Sequence, residues 1–333
     1  MSAPVSTGIH EFVFGTSRGE AARQLAFWER LGFRESERGE LSAAAAERLY
    51  GHRAALTAYR LAHPGCASFG TGFVRLQAWE SLRNAGLGSR PPLTTGGRWM
   101  GLYTQDILQL RDSFAGEAQR ENLWISPLVA APLAKPAPTV DLDNPFVGLR
   151  ETLVFGDHYR LAFIQRGGFD RPGFGTFEPS LPFKNTEGSH ANIIQPPRAF
   201  DGDFYKRAFG FETAPFGDRH RSGDDPATAA ALALGDGDLF EVERTRAVDV
   251  PSGLLQIYAP ERDGEDCRDL SRAGSGNLCL YSVRAGDADA LRQQVLDAGA
   301  GSASELCADE FGDPAFCFDA PDGYQWLVRG GTR

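Results

Sequence analysis

The chain repeats itself. Gly8-Ile9-His10-Glu11-Phe12-Val13-Phe14 near the start is answered about 180 residues later by Gly188-Ser189-His190-Ala191-Asn192-Ile193-Ile194. Each His stands in a short extended run, and each run leads into a helix-like stretch with a similar ending. These endings are Phe27-Trp28-Glu29-Arg30-Leu31-Gly32-Phe33 and Phe204-Tyr205-Lys206-Arg207-Ala208-Phe209-Gly210-Phe211. Val74-Arg75-Leu76-Gln77-Ala78-Trp79 has its echo in Leu254-Leu255-Gln256-Ile257-Tyr258. A repeat of this kind constrains the architecture before any single residue is weighed. It predicts two similar halves, each carrying one His and one Gln at matching places.

Periodicity divides each half again. Residues 8–15 alternate like a strand, and residues 19–31 space Ala22, Leu25, Ala26 and Trp28 as a helix stopped by Gly32. Strands follow at 33–38, 54–61 and 73–79. A second unit opens with Trp99-Met100-Gly101-Leu102-Tyr103. It continues with a helix at 106–114 and strands at 124–128, 151–155 and 159–165, with 130–144 read as an inserted loop. Residues 167–187, rich in Gly, Pro and Phe, suit a connector. The third unit begins at His190, with a helix at 200–209 and strands near 211, 238–244 and 254–258. The fourth has a strand at 277–283, a helix at 287–298 with Gly299 as its stop, and strands at 314–318 and 324–328. The fold class expected is α+β, as four βαβββ units.

Composition narrows the partners. The 333 residues carry a formal charge of −10, which argues against a nucleic-acid partner because phosphate binding needs a basic face. The N-terminal residues lack a basic segment followed by an apolar one, so no secretory leader is expected, and no run reaches the roughly 18 to 20 apolar residues of a membrane span. The five Cys are scattered with no CxxC pair, so no zinc knuckle or disulfide frame is expected. The expected location is the cytoplasm, and the expected partner a small molecule. The chain is expected as a monomer or a homodimer.

The unit order, together with the phrases that fill it, resembles the vicinal oxygen chelate superfamily, the fold of glyoxalases, bleomycin resistance proteins and extradiol dioxygenases. The residues that carry the likeness are His10, Phe27 to Phe33, Phe204 to Phe211, Leu296-Asp297-Ala298-Gly299-Ala300 and the terminal Ala320-Pro321-Asp322-Gly323-Tyr324-Gln325-Trp326. The resemblance implies that two units pair their sheets into an incomplete barrel with a ligand or metal in the cup. Four units make two cups. The simpler pairing joins one with two and three with four, giving domains at 8–166 and 188–330 around the connector. The other joins one with four and two with three.

The resemblance also implies metal ligands on the first and last strands, commonly His and Glu. His10, His190, Gln77 and Gln256 fall at such positions. Leu327, Ala162, Leu102 and Leu278 or Leu280 stand where further ligands would be, so no two-His-one-carboxylate set assembles. Glu11, Glu241 and Glu243 become candidates if the register slips by one residue. A lone strand His is more often a hydrogen-bonded structural residue, and Gln77 and Gln256 can equally bond a ligand. Arg75, Tyr103, Tyr258, Tyr281 and Trp326 are the substrate-binding candidates, weighed against the ordinary reading of strand aromatics as core. His158 beside Asp157 falls in a turn and is expected to be solvated, and His52, His63 and His220 lie in loop-like polar stretches and carry little weight.

Two functions follow from the resemblance. One is an enzyme of the glyoxalase or dioxygenase type, using one divalent metal (Fe, Mn, Zn or Ni) in an incomplete site. The other is a metal-free protein that sequesters a small aromatic compound. A bound metal and no metal are equally compatible with these residues.

Overall fold

A computed structural model describes residues 6–132, 148–167, 175–196, 200–215, 218–223, 226–235, 237–262 and 264–331. All four units are present. The first runs β1 (Ser6–Ser17), α1 (Ala21–Arg30), β2 (Arg34–Leu41), α2 (Ala43–Tyr50), β3 (Leu56–Ala62) and β4 (Phe73–Trp79). The second is β5 (Arg98–Tyr103), α3 (Ile107–Ala118), β6 (Leu123–Ile125), β7 (Val129–Pro132), β8 (Gly148–Gly156) and β9 (Arg160–Gly167). The third is β10 (His190–Ile194), α4 (Gly202–Phe209), β11 (Phe211–Thr213), β12 (His220–Ser222), α5 (Pro226–Leu232), β13 (Phe240–Ala247) and β14 (Leu254–Pro260). The fourth is β15 (Asn277–Ala285), α6 (Ala288–Asp297), β16 (Ser302–Ala303), β17 (Cys307–Ala308), β18 (Pro314–Asp319) and β19 (Gln325–Gly330).

The expected helices sit where their caps put them. Asp201 accepts a bond from the Phe204 N–H at the start of α4, and Gly210 ends it at φ 69°, a left-handed turn that glycine adopts without steric cost. Asp287 caps α6 in the same way through Ala290. Two helices were not expected. Helix α2 is signalled by Ser42, which caps Ala45, and by the alanine run that follows it. Helix α5 lies inside the third unit. The stretch expected as a loop from residue 130 begins as strand β7, and its part at 133–144 lies outside the described residues.

The sheets join the units in the second of the two pairings. A nine-stranded sheet runs through β18-β19-β15-β1-β4-β3-β2, and a ten-stranded sheet through β13-β14-β10-β5-β9-β8-β6. Unit one thus pairs with four, and two with three. The simpler pairing is corrected here because opening strands of matched length meet. The long β1 lies antiparallel to the long β15, and the short β5 to the short β10. The sequence marks the same free edge on all four units and does not say which edges meet.

One core fills the space between the sheets. Phe12 and Phe14 of β1, Trp28 of α1, Phe114 of α3, Tyr205 of α4, Leu291 of α6 and Ile193 of β10 belong to it. Burying each such side chain contributes roughly 1.5 to 3 kcal/mol relative to leaving it in water. The convex faces and the outer helices therefore pack on one another, and the two concave faces are left as cups. No helix among the described residues is long and apolar enough to cross a membrane.

Candidate functional site

The cup of units one and four is filled. Helix α2 lays Ala46, Leu49 and Tyr50 against Val13, Leu56, Ala58, Trp79, Cys279, Cys317 and Leu327. The other half of the cup holds an ion-pair network. Arg75, fully buried, reaches Glu11 at 2.7 Å, Glu310 at 2.8 Å and Asp309 at 3.1 Å. Arg60 pairs with Glu11 at 2.7 Å and lies over the Phe311 ring at 4.1 Å. The Glu310 carboxylate also accepts from the Gln77 amide at 2.8 Å and the Tyr50 hydroxyl at 2.9 Å. Burial alone would raise the Glu11 carboxyl, but Arg75 and Arg60 pull it far below the usual carboxylate range. Burial raises Glu310, with Arg75 opposing.

His10 borders this network through a β-bulge. Ile9 pairs with Val283 and Glu11 with Ser282, so His10 is the extra residue between them. Its Nδ1 donates to the Gly70 carbonyl at 2.7 Å, and Nε2 then accepts from Arg329 at 3.4 Å. Burial lowers the ring to about 4. The nitrogen that would ligate a metal faces a guanidinium, so His10 and Gln77 serve a buried salt-bridge cluster. Arg75 is the centre of that cluster. Tyr281 and Trp326 lie between the sheets and line neither cup. Tyr281 donates to the Asn192 carbonyl at 2.7 Å, and Trp326 Nε1 meets the Tyr205 hydroxyl at 3.3 Å.

The cup of units two and three is open. Trp99, Leu153, Phe155, Ala162, Ile194 and Phe240 close one half with α5. The other half is a cavity of about 280 Å³, lined by Tyr103, Leu149, Glu151, Ile164, His190, Asn192, Arg244, Leu254, Gln256 and Tyr258. Four of the sequence candidates meet here: His190, Gln256, Tyr103 and Tyr258. Glu151, Arg244 and Asn192 were missed. Asn192 could have been found by strand parity, since it stands two residues from His190 on the same face. Glu151 and Arg244 come from β8 and β13, third-strand positions to which the resemblance assigns no role.

Each polar group has a defined state. The His190 ring lies directly over Gly101, where any Cβ would collide with it. Ser189 Oγ donates to the Gly101 carbonyl at 3.1 Å and spends its one proton there, so His190 Nδ1–H donates to Ser189 Oγ at 2.8 Å. The lone pair is left on Nε2. Burial, then Arg244 and Arg166, lowers His190 to about 3, so the ring is neutral. Arg244 Nε donates to Gln256 Oε1 at 2.8 Å, and the Tyr258 hydroxyl points to the same oxygen at 3.3 Å. Asn192 donates to the Trp99 carbonyl at 3.1 Å, while its buried Oδ1 has no partner. Glu151 lines this cavity. Burial raises it to about 7, with Arg244 pulling the other way.

This donor set does not fit a divalent metal. A metal needs anionic or neutral lone pairs converging on one point. Here Gln256 Oε1 already faces a guanidinium, and the one His is flanked by two arginines. No cluster of three His, Cys, Asp or Glu able to hold an ion exists among the described residues.

No family model and no curated protein matches the chain. Solved structures do. A Bacillus subtilis protein described as a candidate dioxygenase aligns over 99% of this chain and 87% of its own at a TM-score of 0.56 and 13% identity. Glyoxalase I from Zea mays aligns over 97% of this chain and 92% of its own at a TM-score of 0.51 and 12% identity. Together with the two cupped sheets, these give the chain the vicinal oxygen chelate fold, with four units in one polypeptide.

Proposed function

We propose that the second cup binds a small organic molecule directly, with no metal between protein and ligand. The observation that carries this reading is the Arg244 Nε bond to Gln256 Oε1. It puts a fixed cation on the oxygen that a metal would need. The cavity volume suits a ligand the size of one substituted ring, and Tyr103, Leu149, Ile164 and Leu254 supply apolar walls. The sequestration function outlined above is thus favoured over metal-dependent turnover. Metal analysis of protein purified without chelators, alongside calorimetric titration with small aromatic compounds in EDTA, tests it. Binding that survives EDTA, in protein with no stoichiometric metal, is the expected result. One metal per chain, lost in His190→Ala, would replace this reading with the enzyme.

Glu151 favours a second reading. A carboxyl held at about 7 can accept and release a proton near neutrality, which suits acid–base chemistry on a bound ligand. Hydrogen–deuterium exchange at an acidic C–H of the ligand, present in the wild type and absent in Glu151→Gln, would support it.

A further inference from the structure

The filled cup shows what the open one is built to hold. In the first cup Arg60 and Arg75 face each other across β3 and β4, and Val13 lies beside Arg75 on β1. In the second cup Arg244 and Gln256 face each other across β13 and β14, and Asn192 lies beside Gln256 on β10. The ladders are the same. What differs is that the first cup receives a carboxylate from its own chain. Glu310 enters between Arg75, the Gln77 amide and the Tyr50 hydroxyl, all within 2.9 Å. In the second cup no ion pair to Arg244 exists among the described residues, and its lining carries one carboxyl, Glu151. Burial disfavours the charged form of that group, and no ion pair joins it to Arg244 among the described residues.

The remaining groups sort by role. Gln256 accepts through Oε1 from Arg244, which leaves its amide N–H bonds to donate into the cavity, as the Gln77 amide donates to Glu310. Arg244 has its Nη groups to offer. His190 Nε2 and the unpartnered Asn192 Oδ1 are acceptors, and Asn192 is 1% exposed. A buried acceptor left unpaired is costly, and a ligand donor would recover that cost. Cationic donors on one wall and neutral acceptors on another call for an anion and a hydroxyl in one molecule.

We infer that the second cup takes a small hydroxylated carboxylate, its carboxylate on Arg244 and the Gln256 amide and its hydroxyl donating its one proton to the unpartnered Asn192 Oδ1. This rests on the reading that the cup binds its ligand directly.

The test is titration calorimetry of the full chain with the three hydroxybenzoates, with benzoate, and with the matching hydroxybenzamides. At least one hydroxybenzoate is expected to bind tenfold or more tighter than both benzoate and its own amide. Gln256→Glu, nearly isosteric, gives Arg244 a carboxylate from the chain and removes the amide donor, so affinity for the acid should fall at least tenfold. Arg244→Gln should erase the preference of acid over amide. Thermal melts of both variants report whether they fold. An amide that binds as well as its acid, or variants that fold and bind the acid unchanged, would overturn the inference while leaving direct binding in the cup intact. Absence of binding by every probe, with a metal found at one per chain, would remove the underlying reading as well.

Discussion

The two cups share strand order, ladder pairing and an arginine on the third strand of one unit, but they spend their polar groups differently. In the first, Arg60, Arg75 and Arg329 meet Glu11, Asp309 and Glu310, and a helix end with Tyr50 seals the space. In the second, Arg244 has an amide for a partner and the space stays open. A closed ionic cluster locks a fold, because removing one member strands its partners away from water. An open set of unmatched donors and acceptors is instead what the proposed ligand would complete from outside. The molecule thus carries one cup closed by its own side chains and one left open.

The largest effect concerns what the cups share, a neutral buried His. Folded values of about 4 for His10 and about 3 for His190 lie below the unfolded value of about 6.5. The unfolded chain therefore binds more protons below pH 6.5, and stability falls as pH drops from there. By pH 4 the loss should be about 3 kcal/mol for each ring and about 6 kcal/mol for the two together, so the His10→Gln and His190→Gln variants should each flatten the acid limb of a urea-unfolding series. Next, Arg75→Met should destabilise by about 3 to 5 kcal/mol, because it leaves Glu11 and Glu310 buried without their main cation. An equilibrium unfolding change below 1 kcal/mol would mean that the first cup is not locked by its ions. Gly101→Ala should cost about 1 to 3 kcal/mol by driving a methyl into the His190 ring, and should weaken ligand binding in the second cup. The smallest effect is expected from Arg244→Met. With no ion pair to break among the described residues, it should change stability by less than about 1 kcal/mol while reducing affinity for acids.

The repeat that points to the fold also equates residues that the structure places differently. His10 and His190 match by letter, but His10 occupies a bulge beside Glu11, while His190 sits in a regular ladder over Gly101. A bulge inserts one residue and re-aims its neighbours, and nothing in Gly8 to Phe14 announces it. Gln77 and Gln256 match by letter as well. One donates to Glu310, and the other accepts from Arg244. Arg75 was a substrate-binding candidate between the apolar Val74 and Leu76, yet its partners Asp309 and Glu310 lie more than 230 residues away. Tyr281 and Trp326 alternate correctly for strands, but the face they take belongs to the core between the sheets. Tyr103 and Tyr258 follow the same alternation and reach the cavity.

By itself the sequence determined the four units, the helix that follows the opening strand of each and the vicinal oxygen chelate fold, because caps, strand alternation and repeated phrases act over a few residues. Only the tertiary structure decided which units share a sheet, which cup is sealed and which arginine lacks a carboxylate. Those outcomes depend on edges and side chains brought together from opposite ends of the chain, where local pattern has no reach.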